Sequence, residues 1–357
     1  MNVRNTQTTD EVPLQPDRVR RTPEGNDEGH VMAGTETVNV AVVGTGVMGN
    51  NHLRVLSRMT DVRILGVVDT DRHRAKAAAE SVGTRAFDSI DELLDAFETT
   101  EGPKAAVVTT PTATHLPVAS TLIRHGVHVL VEKPVASTIA EAEELGQVAD
   151  KHGVVSMVGH IERFNPVVLE MLRPEYRPIL HINIQRIGSF TARILDNVVD
   201  DLMIHDLDIV RQVARSPLAD VKAIARVERS STYDMAIALL TFESGVTASL
   251  TASRLGQKKV RSMEFTLADA VICGDLLHQT VTIHRSESST SSAGVNHRHT
   301  QTYAEEVPFL TGRAEPLQGE LEVFLEAARN NTDSPLPLAE GIEAMRMAAA
   351  IRVAITD

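Results

Sequence analysis

A lysine lies at the point where an apolar strand of this sequence ends. The run Val129–Val131 is followed by Glu132, Lys133 and Pro134, and the proline stops further strand pairing. In an open parallel sheet, ligands bind at the carboxyl ends of the strands. The pattern therefore predicts that Lys133 acts on a bound ligand.

A glycine-rich turn predicts a binding site for a dinucleotide. It matches G-x-G-x-x-G and reads Gly44-Thr45-Gly46-Val47-Met48-Gly49. The first glycine permits a tight turn, the second lets the backbone approach a pyrophosphate, and the third packs a helix on a strand. The phosphate then lies at the helix N-terminus, where free N–H groups and the helix dipole favour an anion. Since an apolar strand precedes the turn, the motif favours a cofactor site over an ordinary loop.

Asp69 indicates which dinucleotide is bound. It ends the next predicted strand, at the interval expected for an acid that accepts hydrogen bonds from the adenosine ribose. A carboxylate there repels a 2′-phosphate, so the pattern favours NAD. Arg72 and Arg74 follow closely and offer positive charge for that phosphate, so NADP stays open as a cofactor.

A third predicted strand ends in polar residues at the same edge. Thr109, Thr110 and Pro111 follow an apolar run, and His115 comes shortly after them. A polar strand end bent by proline fits a place beside the nicotinamide. The alternative is a turn that caps the next helix, and for His115 the two interpretations have equal weight.

These residues are positioned by alternating strands and helices. From about residue 38 to residue 158 the alternation, with short connections, is typical of a doubly wound parallel sheet. Beyond residue 159 strands dominate, with a helix at Asp201–Arg215 and two more at the end of the chain. The turn signal Glu243–Gly245 predicts antiparallel neighbours there.

The predicted organisation has three parts. Residues 1–36 are too polar to bury a core and are expected to be a disordered tail. Residues 37–158 form the dinucleotide-binding domain. Residues 159–357 form an α+β domain with an open, mainly antiparallel sheet. Within it, the Ser- and His-rich residues 286–302 are predicted to be a mobile loop.

The composition narrows the partners and the compartment. A formal net charge of −13 argues against nucleic acid and anionic membranes as general partners. Cys273 is the single cysteine, so no internal disulfide can form. No apolar run is long enough to span a bilayer. We therefore expect a cytoplasmic protein.

Taken together, the motifs resemble one family of enzymes. Gly44–Gly49, Asp69, Thr110-Pro111 with His115, and Glu132-Lys133-Pro134 resemble the glucose-fructose oxidoreductase, inositol dehydrogenase and rhizopine catabolism (Gfo/Idh/MocA) family. The resemblance implies a Rossmann domain followed by a domain with an open sheet that often forms oligomers. It assigns these motif residues to cofactor binding. It also implies hydride transfer between NAD(P) and a sugar, cyclitol or sugar nucleotide.

The second marker of this family, Asp-x-x-x-His, occurs at Asp201–His205. A spacing of four residues puts both side chains on one helical face, and Lys133 across the cleft completes a catalytic set. His205 titrates near neutrality and is the preferred base for the hydroxyl proton. Lys133 orients the hydroxyl, stabilises alkoxide charge or shares the proton, and Asp201 positions the substrate or pairs with Lys133. Whether Lys133 or His205 takes the proton stays open.

A further stretch bears on the substrate. Gly159–Pro166 and Met203–Asp208 together resemble the branch that includes UDP-N-acetylglucosamine 3-dehydrogenases, whose 3-keto products a partner aminotransferase converts to amino sugars. The stretch nominates Arg163 and Asn165 as substrate ligands. The fork of Arg163 suits a phosphate or carboxylate, with an ordinary ion pair as the equal alternative.

Other polar residues near these motifs have less specific interpretations. Arg186 and Arg193 are further candidates for a diphosphate. Asp206 and Asp208, beside His205, suggest a metal, but adjacent acids on a helix more often face solvent or cap a neighbour. We predict no metal.

The preferred function is NAD-dependent oxidation of a secondary hydroxyl, at C3 of a UDP-N-acetylhexosamine, by a homo-oligomer. One rival is a dehydrogenase of a free sugar, sugar phosphate or inositol. The other is a non-catalytic dinucleotide sensor, against which the presence of Lys133, Asp201 and His205 argues.

Overall fold

The computed structural model of the protein describes residues 36–191, 196–293, 296–310 and 315–355. The predicted tail lies outside these ranges, apart from Glu36, and so does Arg193. Within the described ranges, every helix is too short or too polar to cross a membrane.

The first half of the chain forms a six-stranded parallel sheet in the order β3-β2-β1-β4-β5-β6. Its strands are β1 (Val38–Val43), β2 (Val62–Val68), β3 (Arg85–Phe87), β4 (Lys104–Val108), β5 (His128–Glu132) and β6 (Ser156–Gly159). The connecting helices are α1 (Val47–Leu56), α2 (Arg72–Val82), α3 (Ile90–Glu98), α4 (His115–Arg124) and α5 (Ile139–His152). The predicted doubly wound sheet is confirmed. The order of strands reverses between β1 and β4, which is where such sheets bind ligands.

Local sequence signals set the ends of these helices. The Ser89 hydroxyl accepts the N–H of Glu92 and begins α3. Thr138 and Glu141 form a reciprocal capping box at the start of α5. Gly153 ends α5 in the left-handed conformation that glycine adopts without strain. Short connections follow, so the strand ends stay close together at one edge.

The second half forms an eight-stranded sheet in the order β14-β13-β12-β11-β7-β10-β9-β8. Its strands are β7 (His181–Ile187), β8 (Leu218–Arg226), β9 (Met235–Phe242), β10 (Thr247–Ser253), β11 (Val260–Thr266), β12 (Ala270–Asp275), β13 (Thr280–Ala293) and β14 (Asn296–Glu306). All neighbours are antiparallel except β7 and β10, which are parallel. The prediction of an open, mainly antiparallel sheet is confirmed.

The prediction of a mobile loop at residues 286–302 is wrong for residues 286–293 and 296–302, which the structure describes. The backbone there forms most of β13 and β14, which pair from Ile283 and Glu306 to Ala293 and Asn296. The prediction relied on polar composition, but β13 continues a strand that already pairs with β12 along residues 280–285. A hairpin extends from that edge because backbone hydrogen bonds do not depend on side-chain polarity.

The remaining helices are α6 (Pro166–Met171), α7 (Ile204–Ala214), α8 (Pro316–Asn330) and α9 (Leu338–Ala354). Two apolar cores lie under the two sheets. Leu317 and Phe324 of α8 pack into the first core, although they follow the second sheet in sequence. In α9, Leu338 belongs to the first core and Ile351 to the second. The division of the chain at residue 159 stays a prediction, and the last two helices return across it.

Candidate active site

The three glycines of the turn after β1 have different surroundings. Gly44 has φ +96°, and a Cβ there would lie 2.8 Å from the backbone of Thr109. A Cβ on Gly49 would lie 1.9 Å from the Gly44 carbonyl oxygen. A Cβ on Gly46 would meet nothing within 4 Å. Two of the glycines are therefore required by the fold, whereas Gly46 borders open space that a phosphate can enter.

The N-terminus of α1 suits an anion. Gly46 offers no capping side chain, and the first turn of the helix, which includes Val47 and Met48, contains no acid. The Asn50 amide donates to the carbonyl oxygens of Thr45 and Gly46 at 2.7 and 2.8 Å, which fixes the turn. The free N–H groups at this end attract negative charge. These features fit the pyrophosphate of a dinucleotide.

Asp69 is fixed at the end of β2. Its Oδ2 accepts the N–H and the hydroxyl of Thr45 at 2.7 and 2.8 Å, and its Oδ1 accepts the N–H of Asp71 at 2.8 Å and Arg74 Nη2 at 3.2 Å. Burial alone would raise the pKa of Asp69, but the hydrogen bonds from Asp71 and Thr45 and the charge of Arg74 lower it. The carboxylate is therefore ionised and rigid at the position predicted for the ribose.

We expect Asp69→Ala to weaken the preference for NADH over NADPH at least about tenfold. Contacts between like charges cost several kcal/mol, and about 1.4 kcal/mol is tenfold. The substitution also frees Arg74 for the 2′-phosphate. Titrating both cofactors gives the ratio of dissociation constants. Asp95→Ala is the control, because Asp95 is an exposed acid on α3. An unchanged ratio in Asp69→Ala would contradict the assignment.

The end of β4 is joined to both neighbouring strand ends. The Thr109 hydroxyl donates to the Gly44 carbonyl oxygen at 2.6 Å. His115 is 1% exposed, and its ring nitrogens lie 2.9 Å from the Thr110 oxygen and 3.0 Å from the Pro134 oxygen. Burial, partly opposed by these contacts, lowers the pKa of His115, and a neutral ring donates to one carbonyl at a time. His115 therefore joins the ends of β4 and β5, and its contact with the cofactor stays a prediction.

Thr110 and Pro111 lie between the end of β4 and His115 in the chain. Pro111 is exposed and begins the short helical turn Thr112–Thr114. The Thr110 hydroxyl is buried and has no hydrogen-bond partner within the described ranges. Such a group is expected to gain a partner when a ligand binds. Thr110 therefore remains a candidate cofactor contact.

Glu132 is buried beneath the site rather than exposed in it. Its Oε1 lies 2.9 Å from His52 Nε2, and its Oε2 accepts the Lys133 N–H at 3.2 Å. Burial would raise the pKa of Glu132, but His52 and Lys133 lower it. Glu132 thus positions the backbone of Lys133. Sequence reasoning gave no role to His52, although it lies one turn beyond the glycine motif.

Glu320 of α8 lies next to this pair. It is fully buried, and neither carboxyl oxygen has a partner within the described ranges. Burial, and then the charge of Glu132, raise the pKa of Glu320 well above its usual value. Ligand atoms of His52, Glu132 and Glu320 lie within 4.8 Å of one another. The hydrogen bond between His52 and Glu132 accounts for two members of this cluster. Glu320 keeps no partner within the described ranges, and the absence of a metal stays a prediction.

Lys133 and Asp201 meet across the cleft. Lys133 Nζ donates to the Asp201 carbonyl oxygen at 2.8 Å and to its Oδ1 at 3.1 Å, and the side chains are 18% and 22% exposed. A cavity of about 430 Å³ lies beside them, between the β4 and β5 edge and the residues before α7. Asp201 lies in a π-helical turn, Val199–Met203. The α-helix predicted to begin at Asp201 begins only at Ile204. Such turns are frequent at functional sites.

His205 follows one turn later and is packed against His160. The ring centroids are 6.3 Å apart in an edge-to-face arrangement. His160 is buried, and neither of its ring nitrogens has a partner within the described ranges. Burial, together with the charges of Lys133 and Arg186, lowers the pKa of His205 well below its usual value. His205 is therefore a neutral imidazole near pH 7, and the expectation that it titrates near neutrality is wrong.

The arginines and the asparagine predicted to bind substrate have other partners. Arg163 forms a two-pronged pair with Asp208 at 2.5 and 2.6 Å and also donates to Glu340 at 2.6 Å. Asn165 is buried and caps α6 by accepting the Val167 N–H at 3.1 Å. Nε and Nη2 of Arg163 and the side-chain amide of Asn165 are thus engaged within the protein. The prediction that these two side chains contact the substrate stays a prediction.

Arg186 is likewise committed to the protein. It donates to Asp206 at 2.7 and 2.8 Å and to Glu162 at 2.7 Å. Burial would lower the pKa of Arg186, but these carboxylates raise it. Asp206 and Asp208, which suggested a metal, thus bind arginines instead.

The chain matches known proteins along most of its length. A family model described as "Oxidoreductase family, NAD-binding Rossmann fold" matches residues 38–160, and one described as "GFO/IDH/MocA C-terminal domain" matches residues 190–272. The chain is 31% identical over 254 residues to UDP-N-acetylglucosamine 3-dehydrogenase of Acidithiobacillus ferrooxidans, which covers 71% of this chain and 79% of that protein.

Two further comparisons agree with this match. A solved structure of the Acidithiobacillus ferrooxidans enzyme superimposes with a TM-score of 0.78 at 30% identity, covering 89% of this chain and 97% of that one. The chain is also 25% identical over 273 residues to scyllo-inositol 2-dehydrogenase (NAD(+)) of Bacillus subtilis, covering 71% of this chain and 78% of that protein. The turn, the strand edge and the cleft described above lie within the matched ranges, and the chain belongs to the Gfo/Idh/MocA family of NAD-binding oxidoreductases.

Proposed function

We propose that the protein oxidises a secondary hydroxyl of a sugar nucleotide with NAD, at C3 of a UDP-N-acetylhexosamine, to give a 3-keto sugar. The observation that carries this is the placement of Lys133, held by Asp201, at the end of β5, which the end of β4 joins to the glycine turn after β1. The enzyme of Acidithiobacillus ferrooxidans supports the substrate, since its similarity covers both halves of the chain. A 3-keto product suits a partner aminotransferase.

The residues of the cleft have separate roles in the oxidation of an alcohol. NAD, when bound at the turn, accepts the hydride. The ammonium of Lys133 donates to the hydroxyl oxygen and stabilises the negative charge that develops there. Asp201 fixes that ammonium from the opposite side. Neutral His205 accepts the hydroxyl proton. In the alternative route Lys133 takes that proton as an uncharged amine, and its nitrogen then accepts the hydrogen bond from the hydroxyl.

We expect the acid limb of kcat/KM to lie below pH 6.5, the ordinary value for histidine. The lowered pKa of His205 keeps its ring neutral above that pH, and only stronger acid protonates it and blocks proton transfer. A pH profile from pH 5 upward, at fixed ionic strength, measures the limb. His73→Gln, a surface change on α2, should leave the profile unaltered. An acid limb at or above pH 6.5 would contradict neutral His205 as the base.

A panel of substrates tests the proposed reaction. NADH formation is followed with UDP-N-acetylglucosamine, UDP-N-acetylgalactosamine, N-acetylglucosamine, a sugar phosphate and inositol, and the product is analysed by NMR for a ketone at C3. Turnover of the UDP-sugars supports the proposal. Turnover of inositol alone would favour the second candidate, which rests on the similarity to the Bacillus subtilis inositol enzyme. Cofactor binding without any turnover would favour a dinucleotide sensor.

We also propose that the outer face of the second sheet joins copies of the chain. Ile224 of β8 and Leu239 of β9 are 56% and 53% exposed, and β8 and β9 pair along this face. Exposed apolar side chains that adjoin one another are typical of protein interfaces. Light scattering of Ile224→Lys with Leu239→Lys should show a smaller particle than the unaltered protein, whereas an equal mass would exclude this face.

A further inference from the structure

A buried arginine beside the candidate site keeps two of its donor groups unpaired. Arg254 directly follows β10, and its side chain is 3% exposed. Its Nη2 donates to the Asp196 carbonyl oxygen at 2.6 Å and lies 3.7 Å from Asp201 Oδ2. Its Nε and Nη1 are buried and have no acceptor within the described ranges. Asp196 and Asp201 both line the cleft that contains Lys133.

Arg186 on the adjacent strand shows what a fully paired guanidinium looks like in this protein. It pairs in register with Ala252, two residues before Arg254, and its three hydrogen bonds all end on carboxylates. A guanidinium does not lose its proton in proteins, and buried N–H groups that lack an acceptor destabilise the fold. Within the described ranges Nε and Nη1 of Arg254 lack an acceptor, and a ligand bound at the adjacent cleft can supply one.

The charges around Asp201 point to an anion. Lys133 lies at its Oδ1 and Arg254 at its Oδ2, so one carboxylate is shared by two cations. The neighbouring acid Asp200 is bound by Arg352 and Asn197. Asp234 accepts the backbone N–H groups of residues 228–230. Lys133 and Arg254 thus share the single carboxylate of Asp201, while the carboxylate of Asp196 also lines the cleft.

We propose that Arg254 binds an acidic group of the substrate, a carboxylate or a phosphate, next to the hydroxyl that Lys133 orients. The proposal rests on the proposed function and specifies the substrate of the same site. Asp201 contacts both Lys133 and Arg254. We therefore expect the acidic group at Arg254 and the hydroxyl at Lys133 to lie close enough to belong to one bound molecule. The acidic group is either a carboxylate on the sugar ring or the diphosphate of the nucleotide.

Binding measurements on Arg254→Met and Arg254→Lys test this. The protein saturated with NADH is titrated calorimetrically with UDP-N-acetylglucosamine, with its analogue that carries a carboxylate at C6, and with UDP. Arg254→Met should weaken binding about 10- to 100-fold, the worth of a charged hydrogen bond, and Arg254→Lys should recover part of it. Arg226→Met, an exposed change on β8, is the matched control and should bind as the unaltered protein does.

The three probes separate the two sources of negative charge. An equal loss with all three identifies the diphosphate, and a loss confined to the C6 carboxylate analogue identifies the sugar ring. Unchanged affinities in Arg254→Met would overturn the proposal, as would a fall in kcat with unchanged binding, which would make Arg254 only a positioning residue for Asp201. Failure of all three probes to bind the unaltered protein would overturn it too. Binding that depends on Arg254 without any NADH formation would refute the oxidation reaction and leave the anion site in place.

Discussion

Lys133→Met should lower kcat by about 10²- to 10⁴-fold while NADH still binds. Lys133 Nζ is held by two oxygens of Asp201 at 2.8 and 3.1 Å, so its charge is fixed before substrate arrives. Methionine keeps the length of the side chain but removes the charge and every donor. The loss corresponds to the usual contribution of a positioned acid or base. Initial rates of NADH formation give kcat, and fluorescence titration gives the affinity for NADH.

A second lysine controls for the loss of surface charge. Lys151 lies exposed near the end of α5, and Lys151→Met should leave both kcat and NADH affinity unaltered. Asp201→Asn keeps the shape of its side chain and weakens the hold on Lys133, so an intermediate rate is expected. An unaltered kcat in Lys133→Met would remove Lys133 from the reaction and, with it, the proposed mechanism.

Alanine at Gly46 and alanine at Gly49 should separate binding from folding. A Cβ on Gly49 lies 1.9 Å from the Gly44 carbonyl oxygen, so the turn must move. We expect the free energy of unfolding to fall by about 1–3 kcal/mol, as in other overpacked cores, and NADH binding to be lost. A Cβ on Gly46 meets nothing within 4 Å, so stability should not change. NADH binding should nevertheless weaken, because the methyl group lies where the pyrophosphate approaches.

Chemical denaturation without cofactor and NADH titration measure these two effects. The pair controls for itself, since the glycines share one turn and receive the same methyl group. A Gly46→Ala protein that binds NADH normally would place the pyrophosphate elsewhere. A Gly49→Ala protein of unaltered stability would show that the turn adapts to a side chain, contrary to the close packing seen here.

Sequence reasoning succeeded where the signal was local. The turn at Gly44–Gly49 and the strand end at Lys133 are recognisable because a few consecutive residues determine them. Parallel strands then bring those ends to one edge whatever the rest of the chain does. The meeting of Lys133 with Asp201 was predicted for the same reason, since each lies at the end or start of a recognisable element.

Sequence reasoning failed where distant partners decide the role. Arg163 has the chemistry of a phosphate ligand, but Asp208 and Glu340, 45 and 177 residues away, bind it first. Glu320 joins Glu132 from a helix at the far end of the chain. Arg254 shows the converse, since its proposed role depends on two side-chain nitrogens that have no acceptor within the described part of the chain. Whether a charged group is free is a property of the folded chain and not of its neighbours in sequence.

The path of α9 through both cores bears on how such proteins can be recombined. A graft that joined residues 37–158 to a foreign second domain would leave the first sheet without Leu317, Phe324 and Leu338, which complete its core. A graft that instead kept α8 and α9 with residues 37–158 would remove Ile351 from the second core. An exchange that keeps both cores intact needs one junction after β6 and another before α8. Relatives of this protein are therefore expected to exchange the segment between those junctions as an insert.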